Sequence, residues 1–299
     1  MGNFTELGIK KEFIKGLKEL NIVTPTEIQE KVIPMVLNQK IDLVGQAQTG
    51  TGKTAAFGLP ILQNIDSNVN QIQVLILSPT RELGQQIAKQ LFKFTKYLER
   101  KVFTEAVYGG EQIEKQIASL RRPTHIVVAT PGRLLDLIRR KAIDVRHVRT
   151  VVLDEADEML SMGFKKELEQ ILSSLKSVEN KWLFSATIPA GIQEIITRFL
   201  SPNAIRIQIN SKDKTNANID HRYVVCQEAE KLNILLHFLK AQGPQRGVVF
   251  CKTKAVTQKL AKQLIAKNIS ADAIHGDLQQ RDRDKVMRAF KNESLQILV

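Results

Sequence analysis

The sequence predicts an α/β protein with two mostly parallel, doubly wound sheets, the second of them incomplete. Three observations carry this. Short apolar runs alternate with amphipathic stretches from residue 41 onward, most of the runs are largely apolar, and the rhythm breaks at one polar segment and then restarts. Strands buried on both faces read as continuous hydrophobic runs, and parallel neighbours need helical crossovers between them. Right-handed crossovers give a doubly wound sheet whose sites lie beyond the carboxyl ends of its strands.

The runs are IDLVG (41–45), QVLILS (73–78), FTEAVY (103–108), HIVVA (125–129), TVVLD (150–154), KWLFS (181–185) and AIRIQI (204–209). Each has strand length and most are rich in β-branched residues. Helical patterns such as TAAFGLPILQNI (54–65) and RELGQQIAKQLFKFTKYL (81–98) lie between them. NSKDKTNAN (210–218) is polar and aperiodic, and reads as a linker between a first domain over 1–209 and a second over 219–299. After it the expected order is strand 221–227, helix 230–242, strand 246–251, helix 255–268, strand 270–276, helix 281–290 and strand 295–299. A sheet that stops at that point leaves an edge unpaired. The chain therefore reads as cut within its second domain.

The length of 299 residues, 43% hydrophobic and 25% charged, suits a globular protein with real cores. Lys and Arg number 44 against 31 acids, a net +13, which favours a polyanionic partner such as nucleic acid. Residues 219–299 hold 14 basic and 8 acidic residues, a net +6; the first 218 hold 30 and 23, a net +7. Per residue, the C-terminal part is the more basic. Cys226 and Cys251 lack metal-ligand spacing, and two thiols make no disulfide framework, which suits a reducing compartment. No run approaches the ~20 apolar residues of a membrane span, and the first residues lack the apolar core of a signal peptide. A soluble cytoplasmic protein with no membrane partner is expected.

VVLDEADEML (151–160) ends an apolar run with Asp154, Glu155 and Asp157. Carboxylates at such a place need a cationic partner, because an unpaired buried charge is costly. AQTGTGKT (47–54) supplies one, since it follows the run at 41–45 and opens a helical pattern, the context of a phosphate-binding loop. Gly50 and Gly52 let the backbone aim its N–H groups at phosphate, Lys53 adds charge, and the Thr54 hydroxyl suits Mg2+. The general pattern has Gly where this chain has Ala47. Asp154 would then hold the metal, with Glu155 as general base for an attacking water. Asp157 read alone also fits a first-turn carboxylate facing a helix dipole.

SPTREL (78–83) and ATPGR (129–133) each follow an apolar run with a hydroxyl residue, a proline and an arginine. Ser or Thr as N-cap with Pro at the first helical position is ordinary helix-start chemistry, and either stretch alone reads that way. Both on one carboxyl edge, with YGG (108–110) between them, offer helix N-termini and arginines to a nucleic-acid backbone. The candidates are Pro79, Thr80, Arg81, Gly109, Gly110, Thr130, Pro131, Gly132 and Arg133. Such contacts position a strand without reading its sequence. FSAT (184–187) reads as a turn with Thr187 capping the next helix, and HGDLQQRDR (275–283) as a polar turn before a charged helix.

Taken in order, AQTGTGKT, PTREL, GG, TPGR, DEAD, SAT and HGD resemble the motif set of the DEAD-box family of ATP-dependent RNA helicases, within helicase superfamily 2. TPTEIQ (24–29) matches that family's Q motif, with Phe4 17 residues before Asn21, where its block begins. The likeness spans nearly the whole chain. It implies two RecA-like domains closing around ATP and RNA, single-stranded or in a short duplex, with contacts to the 2′-OH favouring RNA over DNA. By motif it implies Gln29 at the adenine edge and Phe4 stacked on the ring. Ala47, Gln48, Thr49, Gly50, Thr51, Gly52, Lys53 and Thr54 would hold the nucleotide. Asp154 and Thr54 would bind Mg2+, with Glu155, Lys53 and Asp154 as the catalytic set. The proline, threonine, glycine and arginine candidates above would follow the RNA backbone, and Ser185, Thr187 and Asp157 would couple hydrolysis to strand separation.

The family continues with motifs of the form ATDxAxRGxD and HRxGRxGR, and neither occurs in these 299 residues. The resemblance therefore implies nucleotide and RNA binding with weak hydrolysis by this chain, the alternative being a non-catalytic, nucleotide-gated RNA-binding fragment. Protein partners and the RNA substrate are not legible.

Overall fold

The computed structural model describes residues 2–209 and 219–299; the segment expected as a linker, 210–218, lies outside the described residues. The chain divides into two compact units, Met1–Lys212 and Asp213–Val299.

In the first unit α1 (Lys11–Glu19) and α2 (Glu27–Asn38) precede β1 (Leu43–Gln46). Helix and strand then alternate: α3 (Lys53–Asn64), β2 (Val74–Leu77), α4 (Arg81–Phe94), β3 (Thr104–Val107), α5 (Ile113–Leu120), β4 (Ile126–Ala129), α6 (Pro131–Arg139) and β5 (Thr150–Leu153). The pair α7 (Ala156–Ser161) and α8 (Lys165–Ser174) leads to β6 (Asn180–Ser185), and α9 (Ala190–Phe199) to β7 (Ile205–Gln208). The seven strands lie in the order β3-β4-β2-β5-β6-β1-β7, every neighbouring pair parallel.

The strand pleat sorts the apolar runs between two cores. Ile76, Val128, Val152 and Phe184 face one layer together with α1 to α4. Leu77, Val127, Leu153 and Leu183 face the other, against α6 to α9. Successive residues alternate sides, so a fully apolar run fills both layers. β3 (TEAV) and β7 (IRIQ) are the edges, and their partly exposed charged residues discourage further pairing.

The second unit contains α10 (Lys231–Gln242), β8 (Gly247–Val248), α11 (Lys254–Ile265), β9 (Ala271–Asp272), α12 (Gln280–Lys291) and β10 (Ile297–Leu298). Its three strands pair in parallel in the order β8-β10-β9 around Leu264, Ala271 and Ile297. Here the sequence reading needs correction. Residues 221–227 form no strand, and Tyr223 is 90% exposed, because β-forming composition needs a partner strand to become one. The run at 246–251 pairs over only two residues, leaving Phe250 93% exposed. Two helix starts differ as well. Thr80 rather than Ser78 caps α4, so Pro79 precedes the cap, and α9 is entered from Pro189, not Thr187.

Gly45 shows how tightly the first unit is packed. A Cβ added there would meet the Phe184 ring at 2.7 Å. Gly45→Ala is expected to destabilise this unit by about 1–3 kcal/mol through overpacking. Denaturant titration of Trp182, the chain's single tryptophan and buried in this unit, reads the change; an unchanged midpoint contradicts it.

Candidate functional site

Because every strand of the first sheet runs the same way, its strand-to-helix turns gather at one edge. Along the sheet they follow the order 108–112, residue 130, 78–80, 154–155, 186–189 and 47–52. The β3-β4-β2 half carries the turns that lead into Arg81 and Arg133, in the first turns of α4 and α6. The β5-β6-β1 half carries the glycine loop and the acids.

Gly50 and Gly52 both hold positive φ (82° and 93°), which a side chain would resist. Gly52 also lacks room, since a Cβ would lie 2.4 Å from Gln29 Nε2. Ala47 is buried without positive φ, and its N–H donates to the Ser185 carbonyl. The general pattern's glycine is therefore not needed at that position. Lys53 opens α3, is buried, and donates from Nζ to the Ala47 carbonyl at 3.2 Å. Thr51 Oγ1 donates to the Gln48 carbonyl, and Thr49 Oγ1 donates to Glu155 Oε1 at 3.3 Å. Thr54 follows Lys53 in the first turn.

Asp154 stands one residue past β5 and is only 3% exposed. Burial pushes its carboxyl up to about 6; the Lys53 charge opposes that shift and Glu155 adds to it. A buried carboxylate held this high gains most from a cation brought to it. Glu155 sits in the left-handed region (φ 52°, ψ 53°), a conformation costing a non-glycine residue about 1–2 kcal/mol. That backbone turns its carboxylate toward Thr49 of the glycine loop.

Asp157 joins the acids to β6. Its N–H donates to Ser185 Oγ at 3.1 Å, and its Oδ2 accepts from both the N–H (2.9 Å) and the hydroxyl (2.8 Å) of Thr187. Ser185 Oγ in turn donates to the Thr187 carbonyl at 2.7 Å. Burial raises the Asp157 carboxyl, but the Thr187 and Ser185 hydrogen bonds outweigh it and hold it below the ordinary value. Thr187 is thus a partner of Asp157, not a helix cap.

Gln29 lies at the first turn of α2 and is 2% exposed. Its Oε1 accepts from Thr26 N–H and its Nε2 donates to the Gly52 carbonyl at 3.1 Å, so it reads the shape of the loop. Phe4, expected to stack on a base, is 2% exposed and packs in the first core.

In the other half, Thr80 Oγ1 caps α4 by accepting from Leu83 N–H, and the Arg81 guanidinium lies 4.8 Å above the Tyr108 ring. Thr130 caps α6 without a side-chain bond, and Pro131 takes the first helical position. Arg133 donates to Gln116 Oε1 (2.6 Å) and to the Glu111 carbonyl (2.8 Å). Gln116 is buried and also bonds both backbone polar groups of Tyr108, so it fixes Arg133 and the 108–110 turn together. Gly109 and Gly132 face open space where a Cβ would stand, and Gly110 holds positive φ. Sequence reasoning missed Gln116 and Glu111 as positioning residues, while Tyr108 and Thr26 lay within the quoted YGG and TPTEIQ stretches without being given a role.

These features match known proteins. The family model for DEAD/DEAH box helicases matches residues 26–195, and that for the helicase conserved C-terminal domain matches residues 230–299. The ATP-dependent RNA helicase CshA of Limosilactobacillus reuteri is 45% identical over 99% of this chain and 59% of its own length. The DEAD-box ATP-dependent RNA helicase CshA of Geobacillus kaustophilus is 42% identical over 100% of this chain and 63% of its own. The chain thus spans about three-fifths of the length of these relatives. A DEAD box protein from Methanococcus jannaschii aligns with a TM-score of 0.67 at 39% identity, covering 99% of this chain and 79% of that one. Dbp5 of S. cerevisiae, bound to RNA and ADP BeF3, gives 0.86 at 28%, covering 100% and 75%. No helix among the described residues is long and apolar enough to cross a membrane.

The buried acid makes the ligand-free fold pH-sensitive. With its folded pKa raised from 3.8 to about 6, Asp154 contributes stability that is present below pH 4 and lost as pH rises through 6. Asp154→Asn removes that loss and keeps an acceptor for Glu155 N–H. At pH 7.5 the ligand-free variant is expected to be more stable by on the order of 2 kcal/mol, about 5 °C in Tm, with no difference at pH 4. A lower melting temperature at pH 7.5 contradicts this.

Proposed function

Because the chain belongs to the DEAD/DEAH box helicase family, we propose that it binds ATP with Mg2+ and RNA along the carboxyl edge of its first sheet, coupling ATP hydrolysis to local separation of RNA strands. The observation that carries this reading is the meeting of the glycine loop, Lys53, Asp154 and Glu155 at the ends of β1 and β5, flanking β6.

The N–H groups around Gly50 to Thr54 and the positive end of α3 suit the phosphates. Lys53 would exchange the Ala47 carbonyl for a phosphate oxygen, and Gln29 would pass the loop's state to the base. For Mg2+ the donors fit, since such sites use one or two carboxylates and hydroxyls with phosphate and water completing the shell. Asp154 and Thr54 would hold the ion, which when bound neutralises phosphate charge and polarises the transferred group. Glu155, placed by its left-handed backbone, would orient a water in line and accept its proton on the carboxylate. Asp157, Ser185 and Thr187 would pass a shift at Glu155 on to β6.

In the other half, Arg81 and Arg133 supply charge, while Pro79, Thr80, Gly109, Gly110, Thr130, Pro131 and Gly132 offer close backbone approach. An RNA strand would be held by phosphate and sugar, without sequence preference. The turns 47–52, 154–155 and 186–189 contain no Lys or Arg, so Lys53 supplies the cation there. Hydrolysis by these residues alone is accordingly proposed to be slow, since a further cation at the γ-phosphate contributes about 10³–10⁵ in rate. The two free thiols fit a reducing cytoplasm.

Binding of a fluorescent ATP analogue, with single-turnover hydrolysis in saturating RNA, tests this reading. Lys53→Ala is expected to weaken binding by about tenfold or more. Glu155→Gln should bind normally while turnover falls by about 10²-fold or more. Binding without turnover in the parent favours the nucleotide-gated RNA-binding alternative. No binding, or binding indifferent to Lys53→Ala, contradicts both.

A further inference from the structure

Beyond Lys53, Arg81 and Arg133 in the first turns of α3, α4 and α6, the positive charge of the connecting segments in the first unit lies away from the edge described above. The turns at the carboxyl ends of the strands (47–52, 78–80, 108–112, 130, 154–155, 186–189) contain no Lys or Arg and three acids. Those at the amino ends (39–42, 65–73, 95–103, 121–125, 140–149, 175–179, 200–204) contain 11 Lys or Arg against 5 Asp or Glu. Some of this is ordinary, because the helices end at this edge and cations favour helix C-termini. Arg121 and Arg140 are such caps. The dipole falls off within a turn and does not account for Arg146 and Arg149, well past the end of α6.

Three clefts run along this amino edge and share walls. Gln71, Arg121, Arg122 and His147 border the first. Gln71, Arg146, His147 and Arg149 border the second together with Asp66 and Glu179, and Arg149, Lys40 and Glu179 border the third. Gln71 and His147 are common to the first two, and Arg149 to the last two, so the three clefts adjoin along this edge and are treated together as one groove. Arg146 is paired with Asp144 at 2.8 Å and Lys40 with Glu179 at 2.9 Å. Arg121, Arg122 and Arg149 are exposed, and their guanidinium groups make no hydrogen bond or ion pair among the described residues.

Guanidinium groups bind phosphate oxygens through paired N–H donors, and a row of them along a groove matches a repeating phosphodiester better than a single anion. We propose that this groove is a second RNA-binding surface, gripping the backbone of RNA that flanks the stretch held at the carboxyl edge. The proposal rests on RNA being the polymer bound at that first edge. A unit of this size is roughly 40 Å across, so at the ~3.4 Å per step of a stacked strand an RNA of about 8 nucleotides falls short of that distance and one of about 30 nucleotides exceeds it. The groove would add affinity and hold a substrate while its bound segment is strained, with no sequence preference.

The test is fluorescence anisotropy of the 299-residue chain with single-stranded RNAs of about 8 and about 30 nucleotides, chosen to fall either side of that reach. It is run with a non-hydrolysable ATP analogue across a salt series. Arg121→Ala, Arg122→Ala and Arg149→Ala are combined, with the corresponding Lys triple as control, and unchanged melting temperatures confirm the fold. The Ala triple is expected to bind the short RNA like the parent. For the long RNA its Kd should rise about tenfold and the slope of log affinity against log salt should fall by about 2, while the Lys triple recovers most of both. Unchanged long-RNA affinity and slope overturn the proposal. If polyglutamate binds the parent through these arginines while long RNA ignores them, the groove takes an acidic protein and the proposal falls. Failure of the short RNA to bind the parent removes the reading of the carboxyl edge, and the long RNA then judges the groove by itself.

Discussion

Parallel pairing sends every strand of the first sheet into its helix at the same edge, because each crossover must return the chain to the opposite side before the next strand begins. Residues as distant in sequence as Lys53 and Asp154 become neighbours through that constraint, as do Asp157 and Thr187. The sheet order does the rest. With β5, β6 and β1 adjacent, the acids, the Ser-Ala-Thr turn and the glycine loop stand side by side, and β3, β4 and β2 bring up to them the turns that lead into Arg81 and Arg133. Two apolar layers support the strands, and hydrogen bonds such as Thr49 to Glu155 and Thr187 to Asp157 tie neighbouring turns to one another.

Local costs concentrate where the chemistry is assigned. Asp154 is buried with its ionised form disfavoured, and Glu155 occupies a backbone conformation that non-glycine residues avoid. Neither feature helps the fold. Both make sense if a cation and a phosphate later relieve the charge and if the Glu155 carboxylate must point in one direction. The Asp157–Thr187–Ser185 bridge is different in kind, since it satisfies every group it uses and stabilises the ionised carboxylate. It is a connector between β5 and β6.

Legibility tracked how local the physics was. The inner strands of the first unit were readable because their apolar runs are buried on both faces, and the loop at 47–54 because positive φ demands glycine. The helices before β1 carried weaker signals; Phe13 and Leu17 mark one face of α1, but Pro34 interrupts α2. Residues 221–227 misled because strand composition cannot supply a partner strand. The bond from Gln116 to Arg133 and the left-handed turn at Glu155 depend on tertiary contacts that no spacing records.

The central claim is that one sheet edge holds two ligands whose states are joined through Asp157, Ser185 and Thr187. Linkage measures it directly: the RNA affinity of the parent chain and of Thr187→Ala, each with and without a saturating ATP analogue. The account expects the nucleotide to raise RNA affinity in the parent, by about 5–150-fold if the coupling is of ordinary size, and to raise it much less in the variant, with both proteins binding nucleotide alike. Equal coupling in the two, or none in the parent while both ligands bind, would contradict it.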